Sequence, residues 1–158
     1  MKLKKISLLF FLIFFFLSYL SPSDCLENIG NKFEVLIERL SEDAKKIGLT
    51  KERLRIVIEL RLRKEGMIII GPSDDPDIPV VSVNVNVVST AFNVELCIKE
   101  LIEIQRKPSP VLCYVVTWGV GRTGTHGNDS EFIVFSLSKC LDFFLNNYYK
   151  ANPKKEVE

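Results

Sequence analysis

The sequence feature that most constrains the fold is a run near the middle of the chain in which apolar and polar residues alternate. Between residues 81 and 87 every odd position is valine, and the even positions carry serine or asparagine. Because successive side chains of a β-strand point to opposite faces, this pattern predicts a strand with one buried face and one wet face. A sheet that is wet on one side buries its other side against helices, which favours a two-layer α+β domain.

Other segments supply the strands and helices that such a domain needs. The spacing of apolar residues and the positions of glycine, proline and capping residues predict their approximate limits. The expected strands are 33–40, 67–70, 81–87, 94–99 and 111–118. The expected helices are 51–65, capped by Thr50, and a last helix that is capped at Asn128 and runs to about Tyr149. We therefore expect a mainly antiparallel sheet of four to five strands, arranged as a meander, with two helices on one face.

The N-terminus carries the pattern of an export signal. Three lysines precede an apolar run from Ile6 to Leu20, and small residues follow at Ser21 and Ser23. This run is short for a helix that crosses a hydrocarbon core of about 30 Å, so a cleaved signal peptide is favoured over a membrane anchor. We expect cleavage near Ser23 and a protein that works in the periplasm or outside the cell.

Removal of residues 1–23 would leave one domain, 24–153, and a loose charged tail, 154–158. Three of the 21 basic residues lie in the leader, so 18 remain against 20 acidic residues. This balance lacks the basic excess of a nucleic-acid-binding surface, and no nucleic acid is expected as a partner.

The chain has few residues that could hold a metal or form a thiol centre. It contains one histidine and no Cys-x-x-Cys pair, so neither a zinc site nor a cofactor is expected. The aspartates of residues 74–77 do not have the spacing of a calcium loop. An exported compartment permits disulfides, and Cys97 with Cys113 is one candidate pair across adjacent strands. Full pairing stays open among Cys25, Cys97, Cys113 and Cys140.

A glycine-rich segment at 119–127 is expected to form a loop between the last strand and the last helix. Its Gly-x-Gly-x-x-Gly spacing lacks the strand–helix–strand unit of a dinucleotide-binding fold. Its Arg-Thr-Gly ending is shared with the cysteine phosphatase loop, but the nucleophile position six residues before Arg122 is Val116. No catalytic residue is therefore assigned.

The same segment nevertheless gathers groups that suit a small anion. Backbone N–H groups freed by glycine, a following helix N-terminus and the side chains of Arg122 and His126 are the parts of such a site. The alternative is a connection whose glycines only shape the turn. The candidate anion-binding residues are Trp118, Arg122, Thr123, Thr125 and His126.

Two features of the expected helices leave alternatives open. Phe132, Phe135 and Phe143 lie opposite the core stripe of the last helix, where they either pack on the first long helix or form an exposed face for a partner. Arg61 falls on the apolar side of the first long helix, so it either pairs with a carboxylate or reaches solvent. The candidate carboxylates on the sheet are Glu34, Glu38 and Glu95.

Five short sequence segments are informative when they are taken together. They are residues 48–50 (Gly-Leu-Thr), 59–66 (Glu-Leu-Arg-Leu-Arg-Lys-Glu-Gly), 83–87 (Val-Asn-Val-Asn-Val), Trp118 with 124–127 (Gly-Thr-His-Gly), and Asn147 and Tyr149 before Asn152-Pro153. Over most of residues 33–153, the chain resembles a family of small exported bacterial proteins of uncharacterised function. The resemblance implies export and a single domain, and it implies no activity or catalytic residue.

Two functions fit these observations. The first is an exported, non-catalytic domain that binds an exported protein or a small anion, or assembles with itself as a homo-oligomer. The alternative is a small hydrolase or anion-binding enzyme centred on residues 119–127. The single histidine and the lack of a nucleophile paired with a base argue against the enzyme.

Overall fold

A five-stranded sheet organises the part of the chain that the computed structural model describes, residues 23–73 and 75–153. The predicted leader up to Pro22, Asp74 and the predicted tail lie outside the described residues. The sheet is mixed but mostly antiparallel, and three helices accompany it. The α+β class expected from the sequence is therefore confirmed.

The five strands are arranged in an order that the sequence did not predict. They are β1 (Lys32–Ile37), β2 (Ile68–Ile70), β3 (Val80–Val88), β4 (Ala91–Ile104) and β5 (Val111–Thr125), in the sheet order β2-β1-β3-β4-β5. β1 pairs in parallel with both β2 and β3, whereas β3–β4 and β4–β5 are antiparallel. The expected meander is thus wrong for the first three strands. The helical crossover after β1 returns the chain to the same end of the sheet, as a parallel neighbour requires.

The helix after Thr50 begins where its capping residue predicts, whereas the last helix begins later than predicted. They are α1 (Glu42–Lys46), α2 (Lys51–Lys64) and α3 (Glu131–Ala151), and a short 3-10 turn covers Asp24–Leu26. The hydroxyl of Thr50 accepts a hydrogen bond from the backbone N–H of Arg53, which is the predicted N-cap. Asn128 does not cap α3 as expected. It sits in a turn with φ of +64°, and Asp129 accepts a hydrogen bond from the backbone N–H of Glu131 instead.

One apolar cluster joins α2 and α3 to alternating side chains of the sheet. The valines at odd positions 81–87 are at most 2% exposed, in agreement with the predicted alternation. The ring of Phe144 on α3 meets Phe33 edge-on at 6.0 Å and Trp118 at 5.4 Å. We call this side of the sheet the apolar face. The opposite side, which carries Glu34, Glu38 and Lys99, is called the polar face.

The register of the β4–β5 hairpin separates two cysteines that were expected to face each other. Cys97 lies opposite Gly119, and Cys113 lies opposite Ile102. Five positions along a strand are about 17 Å at about 3.4 Å per residue, well beyond the roughly 7 Å that a disulfide spans. All four cysteines are free. The expected pair is wrong because a hairpin that pairs Ile104 with Val111 places Cys97 opposite Gly119 rather than Cys113.

Arg61 pairs with a carboxylate, but not with one from the sheet. Its guanidinium lies 3.1 Å from Asp142 on α3 and 3.6 Å from Glu65, and its side chain is 41% exposed. The expected sheet partners are wrong because Arg61 lies on a helix that packs against the apolar face, whereas Glu38 bonds Lys99 on the polar face.

The chain is packed from the first described residue onwards. Ser23 and Leu26 are buried, and the side-chain amide of Asn152 donates to the carbonyl of Leu26 at 2.7 Å. Asn152 also accepts from the backbone N–H of Asn28 at 3.0 Å. Among the described residues, no helix is long and apolar enough to cross a bilayer.

Candidate functional site

The segment 119–127 is mostly strand, because β5 continues to Thr125. Gly119, Gly121 and Gly124 lie opposite residues of β4, so the loop expected from the glycines is wrong. A Cβ atom at Gly124 would come within 3.0 Å of the Phe92 ring. This glycine therefore allows an aromatic side chain of β4 to lie across β5, and it serves packing rather than an anion nest.

His126 has a structural position at the end of β5. The side chain is 1% exposed. Its Nε2 donates to the carbonyl of Ser89 at 2.8 Å, and its Nδ1 accepts from the backbone N–H of Asn128 at 3.0 Å. Because both ring nitrogens are bonded and buried, His126 joins the β3–β4 turn to the start of α3 and leaves no ring nitrogen for an anion.

The other candidate anion-binding residues are spread along β5. Trp118 is buried and stacks on Phe143 at 6.1 Å, whereas Arg122 and Thr125 are exposed. Thr123 points to the other face from Arg122 and accepts a hydrogen bond from Asn93 at 3.3 Å. Residues four apart on a strand lie about 13 Å apart, so Arg122 is far from Trp118 along the strand. The arrangement gives no support to an enzyme centred on this segment.

The three phenylalanines proposed as a partner face are exposed on α3. Phe132, Phe135 and Phe143 are 57%, 58% and 46% exposed, and their role as a partner face stays a prediction. The ammonium of Lys139 lies 5.4 Å from the centre of the Phe135 ring. Phe143 stacks on Trp118 of β5, so this aromatic surface adjoins the edge of the sheet.

The outer edge of β5 is a feature that sequence reasoning missed. β5 is the last strand of the sheet, and β4 is its only strand neighbour among the described residues. Residues 111–121 of this strand contain no charged residue and no proline. Several of their side chains are exposed, namely Val111, Leu112, Tyr114 and Val116. The uncharged run is visible in the sequence, but its place at the edge is not.

A second missed feature is a hollow of about 420 Å³ on the polar face. It is lined by Glu34, Leu36, Pro72, Ser73, Val80, Lys99 and Tyr114. Beside it, Lys99 donates to Glu38 at 2.8 Å, and Ser82 donates to the same oxygen at 2.8 Å. The pKa of Glu38 is lowered below its ordinary value. The hydrogen bond from Lys99 is the largest cause, and the hydrogen bond from Ser82 is the next largest. These residues come from four strands and a loop, so no sequence motif joins them.

No family model matches the chain, and no curated protein sequence matches it. The resemblance to exported bacterial proteins therefore stays a prediction. Within residues 23–73 and 75–153, no three metal-ligating side chains come together. The exposed phenylalanines of α3, the β5 edge and the polar-face hollow are the candidates that remain for binding among the described residues.

Proposed function

We propose that this chain is an exported, non-catalytic domain that assembles with itself by pairing β5 with β5 of a second copy. The observation that carries the proposal is a 15-residue strand that pairs with another strand on one side only among the described residues, and whose residues 111–121 lack charge and proline. Such an edge presents unpaired backbone N–H and C=O groups that another strand can use.

Proteins usually protect edge strands with charged side chains, proline or bulges. β5 has a register irregularity opposite Ile98 and Lys99, which divides the edge into two parts. The part from Val111 to Val116 carries none of the other devices, and four of its six side chains are exposed and apolar or aromatic. A strand added there would bury these side chains at the same time as it pairs the backbone.

A second copy suits this edge because the segment is uncharged. In an antiparallel pair related by a two-fold axis, the same segment meets itself, so a charge at or near the axis would lie close to its own copy. Residues 111–121 avoid that repulsion. The exposed Phe143 adjoins β5 through Trp118, and the corresponding aromatic surface of the partner would extend the interface on the apolar side.

Export is the second part of the proposal. It is supported by the basic start and short apolar run of residues 2–20. When the full chain is expressed and the exported protein is purified, mass spectrometry should find an N-terminus within two residues of Asp24. An intact Met1 on membrane-bound protein would contradict cleavage.

The assembly is tested by measuring the mass of the exported protein in solution by sedimentation equilibrium. Protein concentrations up to about 100 μM are high enough to populate a dimer with a micromolar or lower dissociation constant, the range of standard interfaces. We expect a dimer, and we expect Leu112→Lys to shift it to monomer. Leu60→Lys on α2 is the matched control, because Leu60 is 64% exposed and Leu112 is 62% exposed. A monomeric wild type, or equal dissociation by both substitutions, would overturn the proposal.

A further inference from the structure

The geometry points to a second site: the hollow on the polar face binds a small organic cation, an amine or guanidinium group on an aliphatic stem. Glu34 is its counter-ion and Tyr114 its aromatic contact. Tyr114 belongs to both the hollow and the β5 edge, but Glu34 lies on β1 and the floor of the hollow lies on β1 and β3, so the charged part of the site does not require β5 pairing.

The register of three strands sets the shape of the hollow. Glu34 lies opposite Val80, and Val80 lies opposite Lys99, so the three residues form one row across the sheet. Neighbouring strands are about 4.8 Å apart, which places the Cα atoms of Glu34 and Lys99 roughly 10 Å apart with Val80 between them. The buried Val80 and the aliphatic Leu36 give this gap an apolar floor.

The loop between β2 and β3 closes one side of the hollow. The backbone N–H of Ser73 donates to a carboxylate oxygen of Glu34 at 3.3 Å, which holds the carboxylate beside the recess. Pro72 lines the same side, and Tyr114 on β5 contributes an aromatic ring to the lining. The hollow is therefore walled by a fixed carboxylate and an aromatic side chain above an aliphatic floor.

The charges in and around the hollow do not balance. The ammonium of Lys99 is bonded to Glu38, so its charge is already compensated. Glu34 has no basic side chain within 4 Å among the residues that the structure describes. One negative charge is therefore left over beside an apolar floor, where a cation that donates hydrogen bonds would satisfy it. An anion would meet two carboxylates and one occupied lysine.

The chemistry of the ligand follows from these groups. An ammonium or guanidinium group can donate to Glu34 while its stem covers Leu36 and Val80, and an aromatic ring such as Tyr114 attracts a nearby cation. The volume of about 420 Å³ lies in the range of small-molecule sites. Both a free alkylamine and the side chain of a peptide lysine have this chemistry.

The test is a titration of the exported protein with n-butylammonium, followed by two-dimensional NMR of the backbone amides. We expect saturable shifts at Glu34, Val80 and Lys99. N-acetyl-lysinamide presents the same amine on a peptide backbone, and tighter binding of this compound would identify a peptide side chain as the source. n-Butanol and butyrate, which lack the positive charge, should not produce these shifts.

Two substitutions sharpen the test. Glu34→Gln removes the counter-ion and should weaken n-butylammonium binding at least about tenfold. Glu95→Gln removes the same charge from an exposed position on the polar face and should leave the affinity unchanged. Tyr114→Leu should weaken binding by about three- to fivefold through loss of the aromatic contact. No saturable binding, equal binding of n-butanol, or full affinity in Glu34→Gln would overturn the site.

Discussion

The same strands build both faces of the sheet, but the interactions on the two faces differ: apolar packing on one, hydrogen bonds and an ion pair on the other. On β3, Val83 points to the apolar face and Ser82 to the polar face, and both are buried. Val83 joins the cluster beneath α2 and α3, whereas Ser82 donates to Glu38, which also pairs with Lys99. Burial alone therefore does not distinguish the faces; the kind of partner does.

This difference separates stability from binding. Full burial of a large apolar side chain contributes about 1.5–3 kcal/mol, whereas a partly exposed ion pair contributes about 0–1 kcal/mol. The apolar face should therefore carry most of the folding free energy. The polar face can keep a charged recess, because the domain does not depend on that recess for its stability.

The largest expected effect is on the apolar face. Phe144 is fully buried and its ring contacts Phe33, Trp118 and Tyr148, so Phe144→Ala should lower the free energy of unfolding by about 3–5 kcal/mol. Phe132→Ala makes the same change on α3 at a residue that is 57% exposed. It should change the free energy of unfolding by no more than about 0.5 kcal/mol. Urea denaturation measures both, and similar losses for the two variants would remove the distinction between core and surface on α3.

A smaller effect is expected on the polar face. The side chains of Lys99 and Glu38 are 26% and 36% exposed, so Lys99→Met should cost about 1 kcal/mol or less. A double-mutant cycle with Glu38→Gln isolates the pair from the packing of the lysine stem. A coupling free energy of about 3 kcal/mol or more would show instead that the pair behaves as a buried one.

The smallest effect is a pH dependence of that pair. Lys99, and then Ser82, lower the pKa of Glu38 below its ordinary value of 4.5. A lowered folded pKa means that the stabilisation is fully present above the unfolded pKa and is lost as the pH falls through the folded pKa. The stability difference between wild type and Glu38→Gln should be constant from pH 6 to 8 and should shrink below about 4.5. Urea denaturation across this range checks it, and a difference that grows on acidification would contradict the assignment.

Much of the local structure was predictable because it depends on neighbours in the chain. The alternation at 81–87 gives β3 and its buried side, and Thr50 gives the start of α2. These signals act over a few residues, since a strand alternates every two positions and an N-cap bonds three positions ahead.

The candidate site at 119–127 shows where local signals fail. Its glycines indicated a loop, but β4 extends from Ala91 to Ile104 and pairs with β5 as far as Thr125. Glycine permits a loop conformation and does not require it, so the length of the partner strand decides. His126 was singled out because it is the one histidine, and only the position of the Ser89 carbonyl shows that its ring is part of the framework.

The sequence by itself determined the α+β class, the helices, the strand alternation and the pattern of an export leader. The tertiary structure decided that β1 lies between two parallel neighbours, that an uncharged strand forms the sheet edge, and that Glu34 stands across Val80 from Lys99. The physical reason is distance along the chain. Hydrophobic periodicity is a property of adjacent residues, whereas strand order and register follow from how the whole chain buries its apolar side chains together.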